Sequence, residues 1–121
     1  MGEFTILRAE KAEIVSEDWG QLTWFSSGKI GNSEEMTTGI CRLKPGMSNP
    51  KHSHPNCSEV LTVLEGRIAH TCDADGNTVE MSPGDTITVP SHSPHRATNI
   101  GDGDAVMHIA FSSADRKVHG E

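Results

Sequence analysis

The sequence predicts an all-β protein, an antiparallel sandwich or barrel, on three observations. Short stretches rich in β-branched and apolar residues recur along the chain. Turn signals built from Gly, Pro, Asn and Asp separate them every eight to twelve residues. No stretch sustains a helical period, and no segment repeats another.

Each element follows from local composition. Residues 3–8 alternate weakly and are expected to form an edge strand. Residues 9–18 are charged and read as a helical turn or a loop. Trp19 to Gly28 reads as a strand ended by Ser26, Ser27 and Gly28, and 31–35 as a loop. Residues 36–43 have the β-branched content of a strand, which Pro45-Gly46 closes. Val60 to Leu64 and Arg67 to Cys72 are the next two strands, with Glu65-Gly66 as the turn between them. Asp73 to Asn77 is expected as a hairpin turn, with Gly76 at its tight position. Thr78 to Met81 pairs back, Ser82 to Asp85 turns again, and Thr86 to Val89 follows. After a turn at Ile100 to Asp104, Ala105 to Phe111 is the last core strand, with Ala105, Met107, Ile109 and Phe111 as its inward parity. From Ser112 the chain is polar, expected as a loose tail or a partner contact.

A chain of 121 residues makes one domain. Its core is modest, with 34% hydrophobic residues, two Trp, three Phe and no Tyr, so association into a homodimer would add buried surface. A net charge of -7 argues against nucleic acid or an anionic membrane as a partner. No apolar run reaches membrane-span length, and no apolar run follows a basic start as in a signal peptide. Three cysteines without a CxxC pair fit free thiols in a reducing cytoplasm.

The chemistry concentrates between Gly46 and Gly66. His52 and His54 are one residue apart, and alternate strand residues share a face, so both imidazoles can aim at one point. Glu59 lies seven residues after His52, an odd offset that would place it on the opposite face of an unbroken strand. Pro55-Asn56 breaks the strand and can reset the register, bringing Glu59 round to the same point. Two imidazoles and a carboxylate converging in this way suit a divalent metal. A second stretch, Gly84 to Asn99, places His95 at the opening of a strand as the fourth ligand.

Together these stretches resemble the two motifs of the cupin superfamily. Gly46, His52, His54, Glu59 and Gly66 meet every position of the first motif, and Gly84, Pro90, His95 and Asn99 match the second. The one departure is His92, where the family usually has Gly. The resemblance implies an antiparallel double-stranded β-helix, the jelly-roll barrel, with its core over about residues 36–111. It also implies one divalent metal (Fe, Mn, Ni, Zn or Co) on His52, His54, Glu59 and His95, and a small-molecule substrate. Four protein ligands on a six-coordinate metal leave two positions for substrate oxygens, and Lewis-acid isomerisation, ring opening or lyase chemistry on a sugar acid is the leading expectation. The small cupins that open unsaturated uronates in pectin and alginate breakdown are similar in size and in the final strand. An iron-dependent dioxygenase and a non-catalytic binding module are the alternatives.

His70 is the candidate base, because it shares the parity of Ile68 and Cys72, both expected inward, and a near-neutral imidazole suits proton transfer. A satisfied core histidine is the competing reading. His108 is expected to face outward, and Arg96, next to His95, to face away from the ligands. His92 either gates the mouth or is an exposed loop residue, and His119 is given no role. Cys57 sits between two ligands, as a nearby thiol or as a bystander, while Cys41 and Cys72 read as small buried strand residues. Trp19, Trp24 and Phe25 line the mouth or serve as packing.

Overall fold

The computed structural model describes residues 3–72 and 76–120. Eleven strands run in chain order: β1 (Glu13–Glu17), β2 (Gly20–Ser26), β3 (Thr37–Leu43), β4 (His52–Ser53), β5 (Glu59–Glu65), β6 (Ile68–Cys72), β7 (Asn77–Met81), β8 (Thr86–Val89), β9 (His95–Asn99), β10 (Ala105–Phe111) and β11 (His119–Gly120). They form a six-stranded sheet, β1-β2-β3-β10-β5-β8, and a five-stranded sheet, β11-β4-β9-β6-β7. All the pairings described are antiparallel.

The period-two patterns build the core. In β3, Thr37, Gly39, Cys41 and Leu43 point inward, and in β10 Ala105, Met107, Ile109 and Phe111 do so, as the alternation predicts. Leu61 and Val63 of β5 complete that inner face. Ile68, Met81 and Ala97 face them from the second sheet. Burying such side chains contributes about 1.5–3 kcal/mol each. Gly66, at φ 80, turns the chain from β5 into β6. A Cβ there would lie 2.8 Å from the Asp104 carbonyl oxygen, so only glycine fits.

Three expectations need correction. Residues 3–8 form no strand, because Phe4 and Ile6 find nothing to bury against and stay exposed. The strand lies instead in the charged stretch, where a 3-10 turn at Ala9–Lys11 leads into β1. A two-residue connection, Asp18-Trp19, then lets β1 pair with β2 from Glu17 opposite Gly20. Nor is the segment after Phe111 loose: it folds back and pairs β11 with β4. Finally, Cys72 is exposed rather than buried, at the outer end of β6. The expected turn at Asp73 to Asn77 falls largely outside the described residues, while Cys72 and Asn77 pair across it.

Candidate metal centre

The four ligand candidates come from three different elements. His52 on β4 and His95 on β9 are direct cross-strand partners, which brings their ring centres to 4.3 Å. His54 follows β4 immediately, and a turn at Pro55-Asn56 carries the chain across to the other sheet, where Glu59 opens β5. The register reset expected at that proline is the observed route. One ligand atom from each of the four lies within 4.8 Å of every other. Donors about 2.1 Å from one ion stand at most about 4.2 Å apart, so the set needs to contract by only a few tenths of an ångström.

Backbone carbonyls orient all three imidazoles. His52 Nδ1 donates to the Pro50 carbonyl at 2.7 Å, His54 Nδ1 to Lys117 at 2.9 Å, and His95 Nδ1 to Ser93 at 3.0 Å. A carbonyl only accepts, so each ring carries its proton on Nδ1 and turns a bare Nε2 lone pair inward. Glu59 Oε1 then stands 3.0 Å from His95 Nε2 and 3.4 Å from His54 Nε2. His54 Nε2 is buried and has no hydrogen-bond partner among the described residues. Lone pairs facing a carboxylate at these distances call for a proton or a cation between them. The residues therefore fit a divalent metal: neutral nitrogen donors, one anionic oxygen and a polar atom left over for it.

Electrostatics prepares the donors. Burial pushes His52 down to about 4, so the ring is neutral and ready to ligate at physiological pH. Burial alone would raise Glu59, but in the metal-free protein, where a proton takes the cation's place between the carboxylate and the facing nitrogens, hydrogen bonds and charge from His54 and His95 outweigh it and hold the carboxyl at about 2. Three neutral imidazoles and one carboxylate leave a bound divalent ion with a net charge of about +1.

His52, His54 and Glu59 open onto a cavity of about 290 Å³. Its other walls are mostly apolar: Trp19, Leu22 and Trp24 on one side, Leu61, Met107 and Phe111 behind. Trp19 and Trp24 thus line the cavity while they pack, whereas Phe25 faces out. His70 points inward and is 1% exposed, but it does not line this cavity. Its ring stacks on His95 at 5.5 Å and 13°, and its Nδ1 lies 3.7 Å from Cys72 Sγ. His108 is half-buried outside the inward set of β10, and Arg96 is exposed on the far face from His95. Cys57 is buried and Cys41 lines the cavity, where burial first and then Glu59 push its thiol up to about 12. His92 takes φ 68, a left-handed backbone that explains why glycine is usual there, and its N–H donates to the His54 carbonyl at 2.9 Å.

Sequence reasoning missed the contribution of the segment after Phe111. It supplies the Lys117 carbonyl to His54, and places Arg116 and Val118 on the cavity wall. Asn56 clamps it, donating to the Asp115 carbonyl at 2.8 Å and accepting from the Lys117 N–H at 3.0 Å. An asparagine beside a proline was legible only as a turn residue, because its partners lie about sixty positions away.

The family model for the cupin domain matches residues 39–111. The chain belongs to the cupin domain family. Among curated cupin relatives, a germin-like protein of Morus alba is 35% identical over 74 residues, 59% of this chain and 35% of its own length. An auxin-binding protein of Prunus persica, ABP19b, is 39% identical over 74 residues, again 59% and 35%. The polyketide synthase CurC of Streptomyces cyaneus is 33% identical over 69 residues, 57% and 44%. This cupin therefore spans less than half the length of these relatives. Among solved structures, a mutant of Bacillus subtilis oxalate decarboxylase superposes with a TM-score of 0.84 at 24% identity, covering 94% of this chain and 31% of that one. Peruvianin-I, a cysteine peptidase from Thevetia peruviana latex, gives 0.82 at 22%, covering 96% and 76%. At such identities the likeness establishes the fold: the two antiparallel sheets are a cupin jelly roll. No helix among the described residues is long and apolar enough to cross a membrane.

Proposed function

We propose that this cupin is a metal-dependent enzyme, with His52, His54, Glu59 and His95 holding one divalent ion and a small molecule as substrate. The carrying observation is the convergence of three Nε2 lone pairs and a carboxylate on one point, with His52, His54 and Glu59 at the wall of one cavity. When bound, the metal supplies Lewis acidity to substrate oxygens that chelate it. The chain's own residues do the rest. The Pro50, Ser93 and Lys117 carbonyls keep the imidazoles in the ligating tautomer. The apolar walls exclude water from the substrate body, which strengthens every charge interaction inside. Those walls also shift the expected substrate away from a polyhydroxylated sugar acid and toward a compact body with its oxygens at one end.

The reaction class we assign first is isomerisation, ring opening or lyase chemistry. His70, stacked on His95 and outside the cavity wall, is better placed to hold that ligand than to meet substrate as a base. Metal content of the purified protein, followed by oxygen uptake with candidate substrates, tests this reading. Manganese, zinc or nickel with no uptake supports it, whereas iron with substrate-dependent uptake replaces it with a dioxygenase.

A further inference from the structure

The cavity contains a cation that plays no part in holding a metal. Arg116 lies on its wall, with the guanidinium carbon 4.5 Å from the centre of the Trp24 ring and 5.3 Å from that of Phe111. Among the described residues the guanidinium packs on these two rings and makes no ion pair and no hydrogen bond, while the Glu59 carboxylate and Cys57 act on it through space. Aromatic faces hold a guanidinium in place but satisfy none of its five N–H donors. A cation held in this way, half-withdrawn from water, is set up to receive an anion in bidentate geometry.

Its position relative to the ligands is bounded by a shared neighbour. The His54 ring centre is 4.9 Å from the centre of the same Phe111 ring. The guanidinium therefore lies no farther from His54 than those two short contacts laid end to end. A molecule of a few carbon atoms can reach both. The walls between are apolar, so the span between its two ends is expected to be apolar as well.

We propose that Arg116 determines substrate class: it binds the carboxylate of a small acid whose remaining body is apolar and whose other end faces His52, His54 and Glu59. This rests on the metal-centre reading for the far end only. The Arg116 contact itself is independent of any metal, and that separates the two in experiment.

The test compares 3-phenylpropanoate with its neutral amide, binding followed by tryptophan fluorescence, since Trp24 lies under the guanidinium. Metal-loaded and chelator-stripped full-length protein are both titrated. The acid is expected to bind about tenfold or more tighter than the amide in both forms, the range of a charged hydrogen-bonded pair. Arg116→Gln is expected to equalise acid and amide. Arg116→Lys, which keeps the charge and guards against a merely unfolded Gln variant, is expected to retain a preference of a few-fold. Equal binding of acid and amide by the native chain overturns the proposal. So does a preference that survives Arg116→Gln, or one that vanishes on stripping, because the carboxylate would then be going to the metal. Elemental analysis of the same samples reports on the metal centre separately: no metal retained by the metal-loaded sample, with the preference intact, would sink that reading and leave Arg116 standing.

Discussion

His52 and Glu59 decide how the metal-free protein responds to acid. Burial holds His52 at about 4 where a free histidine titrates near 6.5, so between those values the unfolded chain takes up a proton that the folded ring refuses. Stability falls as pH drops through that window. Glu59, at about 2 against an ordinary 4.5, contributes stability that is present above 4.5 and is lost as pH falls toward 2. The two effects share a sign. Urea midpoints of chelator-treated protein are expected to decline steadily from pH 6.5 downward, and a midpoint that is flat or rises over that range contradicts the burial of His52. The candidate ligands were legible because their types and spacing are local. His70 was legible only as inward: parity gave its face, but the stacking on His95 depends on β6 and β9 lying side by side.

At the scale of elements, the segment 112–120 is the part that composition concealed. A polar stretch with one two-residue strand carries no period to detect, and its order comes from contacts far along the chain, chiefly Asn56. That asparagine works through the Lys117 carbonyl on His54. Asn56→Ala is expected to weaken metal binding by about tenfold or more, the usual effect of losing a group that orients a ligand, while leaving the fold's unfolding temperature within a few degrees. Unchanged affinity by competition with a metallochromic dye would show that His54 needs no such support. The longer strands were read correctly from alternation, since each buries one face. β1 was misread because it lies in a charged stretch that reads as a helical turn or a loop, whereas its short connection to β2 makes it a hairpin arm.

For the whole molecule, the candidate metal centre spans the two sheets: His52 and His95 belong to one, Glu59 to the other. An ion held there would tie the sheets together and bind only the folded chain. At free metal one hundred times Kd this contributes about 2.7 kcal/mol, and for a chain of this size EDTA should lower Tm by on the order of 10 °C. Calorimetry showing no shift on chelation would detach the centre from the stability of the barrel. The jelly roll itself was legible through the two spaced motifs rather than through composition, because short strands and turns alone leave sandwich and barrel undivided. The most direct measurement is the stoichiometry of divalent metal bound to the native chain and to His54→Ala, by elemental analysis after reconstitution and desalting. One ion per native chain and none in the variant is the predicted result. No ion in the native chain, or full occupancy in the variant, would contradict the assignment of the centre.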